Sequence, residues 1–394
     1  MDIALVNGRV MTDDGPVDGL AVRLRGERIA AVGPTAEVAA GAATHDLRGA
    51  LLAPGFVDIQ VNGGGGMLFN ASPTVETIAA IGRAHRRFGT TSFLPTLISD
   101  DLDVIEVAIG AVRRAMAQGV PGVLGIHIEG PFLNPRRRGI HELGKLRRLD
   151  EAAIDLLASL GVGRTLVTLA PEITSPQMIQ RLVRAGVVVA AGHTNAAYAT
   201  VRAALDHGLS GFTHLFNAMP PLASREPGVV GAALEDQNSW CSVIVDGHHV
   251  DPVTLKLALR CKPLYRFILV TDAMPSVGTE DLSFTLQGKL IRVKGGVCVD
   301  EHGTLAGSDL DMASALRNTV RMLDVSLAAA SRMASRNPAE FLSLQDITGR
   351  ISPGGPADLV QLDDNLEVLE TWVAGRPTTQ ADGRPARAGG PGHV

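Results

Sequence analysis

Short apolar runs alternating with amphipathic stretches dominate the middle of the chain. Strand-like runs fall near 52–61, 91–97, 122–129, 165–171, 186–193, 211–217, 241–246 and 267–272. Helical patterning fills most of the gaps, in Thr74–Phe88, Asp101–Gln118, Pro176–Ala185, Ala196–His207 and Asp251–Arg260. Near-continuous apolar strands alternating with helices predict a parallel sheet covered on both faces. Eight such units over about 220 residues fit an α/β fold of the (β/α)8 TIM-barrel type, which typically takes about 250. An open doubly wound sheet is the alternative, but the chain offers no Gly-x-Gly-x-x-Gly loop for its switch point.

The ends of the chain read differently. Ile3–Val6 and Leu20–Leu24 are short apolar stretches set off by Asn7-Gly8, Asp14-Gly15 and Arg25-Gly26-Glu27, which are turn signals. They predict a small antiparallel sheet. A similar pattern returns at Ala357–Leu362 and Leu366–Val373. Both ends therefore predict one small β-sandwich domain, from 1–52 and 350–379, beside a barrel at 53–349. The segment 282–306 predicts hairpins turning at Gly288 and Gly295-Gly296, followed by helices at 309–323 and 325–343. Residues 380–394, rich in Gly, Pro, Arg and Ala, predict a flexible tail.

A barrel concentrates function at the C-terminal ends of its strands. Glu129, His193, His214 and Asp272 end the third, fifth, sixth and eighth runs. Singly, each has an ordinary explanation: a satisfied structural histidine, or an aspartate serving a turn. Sharing one position class, they predict more. One carboxylate and two imidazoles are a standard set for a divalent ion with an open coordination position, where a water becomes acidic enough to ionise near pH ~7 and a carbonyl is polarised. Asp272 is placed to take the water's proton and hand it to a leaving nitrogen.

Composition narrows the partners. Charged residues make up 20% of the chain and the formal charge is −5, which favours neither nucleic acid nor an anionic membrane surface. Three cysteines (Cys241, Cys261 and Cys298) without CxxC spacing predict a reducing compartment. No signal peptide and no run near the ~18 apolar residues of a membrane span is readable, so the expectation is a cytoplasmic protein. An anionic small substrate is compatible with this charge. Arg225, in Arg225-Glu226-Pro227-Gly228 beyond Asn217-Ala218-Met219-Pro220-Pro221, could bind two phosphate oxygens at once, beside exposed backbone N–H groups. Arg136-Arg137-Arg138 precede His141 and read equally well as a solvated loop or as substrate contacts. Of His248 and His249, at the end of the seventh run, one is expected to face the pocket.

These residues carry a resemblance. In order, Pro54-Gly55-Phe56-Val57-Asp58-Ile59-Gln60-Val61-Asn62-Gly63, His127-Ile128-Glu129-Gly130-Pro131, Gly192-His193-Thr194-Asn195, Thr213-His214-Leu215-Phe216-Asn217-Ala218-Met219, Arg225-Glu226-Pro227-Gly228, Val270-Thr271-Asp272-Ala273 and Leu305-Ala306-Gly307-Ser308 resemble the N-acetylglucosamine-6-phosphate deacetylase family of the amidohydrolase superfamily. The resemblance runs from about residue 50 to the end. It implies metal ligation by Glu129, His193 and His214, acid-base catalysis by Asp272, and sugar or acetamide contact by His141. It also implies a substrate pocket shared by Asn217, Ala218, Arg225, His249 and Leu305, some of them reaching a neighbouring subunit of a homodimer. Where the superfamily often has His-x-His for a second metal, this chain has Gln60-Val61-Asn62. Amides are poorer ligands than imidazoles, so one divalent ion is expected, zinc first, with iron, cobalt or manganese as alternatives. The implied reaction is deacetylation of N-acetyl-D-glucosamine 6-phosphate in amino-sugar catabolism. The galactosamine epimer or another N-acetylated sugar phosphate, cyclic amide hydrolysis, and a catalytically silent sugar-phosphate binding protein are the competing readings.

Overall fold

The computed structural model describes residues 2–378; the predicted tail at 380–394 lies outside the described residues. Eight strands follow one another in chain order and in space: β1 (Phe56–Val61), β2 (Thr90–Ile98), β3 (Gly125–Glu129), β4 (Arg164–Leu169), β5 (Val188–Ala191), β6 (Gly211–Phe212), β7 (Trp240–Val243) and β8 (Phe267–Leu269). Each pairs in parallel with the next. Beyond β8 the chain meets β1 again through a parallel bridge between Val61 and Ala273, and the Asp272 N–H donates to the Gln60 carbonyl at 3.0 Å. The sheet thus curls back on itself, which explains why β1 and β2 are buried along their whole length.

The helices between the strands start where capping chemistry permits. Thr74, Asp150, Ser175 and Asp251 each accept a backbone N–H of the first turn, and Pro176 and Pro252 occupy positions where no N–H is needed. All five helices predicted between the barrel strands form. Helices at Glu151–Leu157 and Gly228–Glu235 form as well, although their patterning had not marked them.

Two expectations need correction. The stretch 325–343 is two helices, Leu327–Ala334 and Arg336–Phe341, broken at Ser335 (φ −137°, ψ −73°). Pro338 supplies the reason: its ring would clash with the Ala334 carbonyl in a continuous helix. The terminal strands are not a single antiparallel sheet. Asp2–Val6 pairs antiparallel with Leu20–Arg25 but parallel with Ala43–Asp46, in a four-stranded sheet completed by Arg28–Pro34. At Asn7 (φ +57°) the chain leaves that sheet instead of doubling back in it. Arg9–Thr12 then joins a six-stranded sheet that contains Leu51–Pro54, Leu359–Leu362 and Val368–Val373. One apolar cluster contains Leu5, Val22 and Leu24 of the first sheet and Val10, Leu359 and Trp372 of the second.

The hairpins at 282–306 appear as Ser283–Leu286, Lys289–Lys294, Val297–Val299 and Leu305–Ser308, turning at Gly288 and at Gly295-Gly296. Ser308 bridges to Ala273, which fastens this small sheet to the barrel beside Asp272. Among the described residues no helix is long and apolar enough to cross a membrane.

Candidate active site

Register explains why two histidines distant in sequence meet. Ala191 of β5 pairs with Phe212 of β6, and each histidine follows two residues later. His193 (φ +48°), His214 (φ +34°) and Asp272 (φ +53°) all turn out of their strands in the left-handed region. Such a backbone costs of order 1–3 kcal/mol at a non-glycine residue, and persists only where its surroundings over-determine it. Glu129 ends β3 directly, and Gly130 (φ +92°) then leaves close beside Ser99; a Cβ there would stand 2.2 Å from the Ser99 hydroxyl.

Three ligand atoms converge. Glu129 Oε1 lies 3.1 Å from His193 Nε2 and 2.9 Å from His214 Nε2, and the two Nε2 atoms are 3.1 Å apart. The Arg137 carbonyl can only accept, so the His193 proton sits on Nδ1, 2.9 Å from it, and Nε2 presents a lone pair to the Glu129 carboxylate. Two acceptors facing each other call for a cation. The separations suit one, since ligands about 2.0 Å from a tetrahedral centre lie about 3.3 Å apart. Burial opposes ionisation of Glu129, but protons on the facing nitrogens of His193 and His214, standing where an ion would stand, outweigh it and hold the carboxyl well below its usual range. The residues present therefore fit a divalent ion held by Glu129, His193 and His214.

Asp272 stands beside this group without joining it. Its Oδ1 accepts from Asn62 Nδ2 at 2.7 Å and from Gln60 Nε2 at 3.2 Å, and the same Gln60 amide donates to Glu129 Oε2 at 3.2 Å. Gln60 and Asn62 thus present N–H groups where the superfamily pattern would place lone pairs. Burial first, then the Glu129 charge, push the Asp272 carboxyl up to about 6, against His214, His249 and Asn62.

A cleft of about 330 Å³ opens over these residues. His141, Asn217, Ala218, His249 and Leu305 line it, as do Arg136 and Arg137. Ser99 N–H donates to His141 Nδ1 at 3.3 Å, which leaves the imidazole proton on Nε2 as a donor for a ligand. Burial and the nearby His193 hold the His141 ring neutral. His249 is fixed by Asp246, whose Oδ2 accepts from Nδ1 at 2.6 Å, while His248 is exposed outside the cleft. Arg225 is also exposed and does not line the cleft of its own chain.

Reading strand ends alone missed several contributors. Ser99, one residue beyond β2, shared the position class that had flagged Glu129 and could have been found by it. Leu286 and Met274, which give the cleft an apolar wall with Ile98 and Ile140, belong to a buried cluster that includes the hairpin sheet. Glu172 follows β4 by three residues, and only its hydrogen bonds reveal it.

Fold and site together define a barrel-shaped hydrolase with a Glu-His-His group that could hold a metal ion. The chain belongs to the amidohydrolase family, whose model matches residues 51–378. It is 45% identical, over 88% of both chains, to the N-acetylgalactosamine-6-phosphate deacetylase of Shewanella sp. (strain ANA-3). It is 36% identical to the N-acetylglucosamine-6-phosphate deacetylase of Haemophilus influenzae, over 95% of this chain and 99% of that one. The solved N-acetylglucosamine-6-phosphate deacetylase of Pasteurella multocida superposes with a TM-score of 0.92 at 33% identity, over 96% of this chain and 99% of that one. A mutant Mycobacterium smegmatis enzyme of the same name, solved with N-acetyl-D-glucosamine-6-phosphate, gives 0.89 at 34% identity over the same shares.

Proposed function

We propose that the protein hydrolyses the acetamide of N-acetyl-D-glucosamine 6-phosphate, releasing acetate and D-glucosamine 6-phosphate in amino-sugar catabolism. The observation that carries this reading is Asp272, a half-buried carboxylate beside the Glu129–His193–His214 group and facing the same cleft. An ion, when bound by Glu129, His193 and His214, would acidify a water and polarise the carbonyl. Asp272 accepts the water's proton and returns it to the nitrogen, because an amine leaves far more readily than an amide anion. His141 Nε2–H is the donor for the carbonyl oxygen on which negative charge develops. Zinc suits the ligand set best, and iron, cobalt and manganese are the alternatives. We further take the two terminal sheets to form a separate small sandwich domain, and the protein to work in the cytoplasm, away from nucleic acid and membranes.

The 45% identity to a galactosamine-type enzyme supports a second reading, in which the axial epimer is the preferred substrate. Comparing kcat/KM for acetate release from the two epimers tests the choice: at least a tenfold preference for the glucosamine compound is expected, and the reverse preference selects the second reading.

Metal count is a separate prediction. Gln60 and Asn62 turn their amide N–H groups toward the carboxylates, so elemental analysis of the purified protein should find about one divalent ion per chain. Two tightly held ions would contradict it.

Phosphate recognition follows from the place of Arg225. Standing outside the cleft of its own chain, it contributes by reaching the cleft of a second copy in a homodimer. Loss of a charge-assisted bidentate contact costs on the order of 1.5–3 kcal/mol, so Arg225→Ala should raise KM for the phosphorylated sugar roughly ten- to a hundred-fold and leave that for N-acetylglucosamine nearly unchanged. Equal effects on both substrates would assign the phosphate to Arg136 and Arg137 instead.

A further inference from the structure

We infer that Glu172 is a positioning residue that sets the affinity of the Glu129–His193–His214 site for its ion by clamping the turn that carries His193. This rests on the reading of those three residues as a metal site. Glu172 lies half-buried in a short 3₁₀ turn after β4, the strand between the ligand-bearing β3 and β5. Its carboxylate collects three donors. Oε2 accepts from the Thr194 hydroxyl at 2.6 Å, and Oε1 accepts from the Asn195 N–H at 2.6 Å and from Asn134 Nδ2 at 2.8 Å.

Those donors surround His193. Thr194 and Asn195 are the two residues that follow it. Asn134 belongs to the loop after β3, and its own N–H donates to the His193 carbonyl at 3.0 Å. Three residues on, the Arg137 carbonyl receives the His193 Nδ1 proton, and Arg137 Nε donates to Asn195 Oδ1 at 3.0 Å. Glu172 therefore ties the loop that orients the imidazole ring to the residues that continue its backbone. His193 needs such a tie because its left-handed backbone (φ +48°) is not a conformation histidine keeps unaided. Without the carboxylate, Thr194, buried to 0% exposure, keeps a hydroxyl without its acceptor, and the turn has less reason to persist.

The test is the Zn²⁺ affinity of the metal-stripped, full-length protein, read by competition with a chromophoric chelator. Outer-shell partners of ligating histidines commonly govern about 10–100-fold in metal affinity. Glu172→Ala is expected to weaken Zn²⁺ binding roughly tenfold or more. Glu172→Gln, which keeps one acceptor oxygen, should fall between it and the parent. Glu301→Gln removes the same charge from an exposed site, where the side chain is 81% accessible, and should bind as the parent does. With Zn²⁺ at saturation, kcat of the Glu172 variants should return toward the parent value, since Glu172 touches no reacting atom. Thr194→Ala supplies an arm that does not depend on Glu172→Ala folding: it should weaken Zn²⁺ binding alone, and add little in the Glu172→Gln background. Affinities within twofold of the parent for Glu172→Gln and Thr194→Ala would overturn the inference. A parent protein that binds no Zn²⁺ would instead overturn the metal-site reading itself.

Discussion

Replacing Asp272 by Asn should leave the fold and the bound ion in place and lower turnover by roughly 10²–10⁴-fold. The amide matches the carboxylate in size, but it can neither accept the water's proton nor deliver one to the leaving nitrogen. Asn62 and Gln60 both donate to Oδ1, and an amide oxygen in that position still satisfies them, so the local structure has little cause to move. KM should change far less than kcat, because Asp272 acts on atoms that change bonding. A pH profile adds a second check. With the carboxyl raised to about 6, activity that depends on its ionised form should be lost as pH falls through that value, and a cation beside it shifts this limb to lower pH. The variant should lack the limb. Near-parent turnover with the ion retained would remove Asp272 from the reaction and point to His141 as the proton carrier.

His193→Asn should produce the opposite separation, with the ion lost first and turnover lost because of it. A neutral amide oxygen replaces an imidazole nitrogen, and its shorter side chain gives up the hydrogen bond from Nδ1 to the Arg137 carbonyl. The loss of affinity should exceed the roughly 10–100-fold that outer-shell partners govern. Elemental analysis after dialysis is the measurement. Full occupancy in His193→Asn, beside inactive protein, would mean that the ion sits elsewhere.

The contrast between these two variants shows what was legible beforehand. Periodicity sufficed for the barrel because its strands are buried on both faces and its helices on one, so β1 to β8 and five helices announce themselves. The four central residues were legible because a barrel presents strand ends at one rim. The hydrogen-bonding partners were not. Asp246 and Glu172 are ordinary loop residues in sequence, and Ser99, although it follows a barrel strand, takes its role from a bond to His141 across 42 positions, as Glu172 does from contacts across 22 or more. The terminal sheets were half legible: their strands could be found, but pairing direction depends on where the chain passes from one sheet to the other, and no single turn residue encodes that. Arg225 shows the same limit from the other side: within its own chain it is exposed and outside the cleft, and only the homodimer proposed above would give it a role.

The central proposal is that this chain removes acetate from an N-acetylhexosamine 6-phosphate with the help of an ion at Glu129, His193 and His214. The most direct measurement follows acetate and free amine together, with N-acetyl-D-glucosamine 6-phosphate and its galactosamine epimer. It is made on protein as purified, after chelation, and after Zn²⁺ is restored. Acetate and amine are expected in equal amounts, with loss of both on chelation and recovery of both on reloading. Protein shown to hold its ion that releases no acetate from either epimer would contradict the proposal.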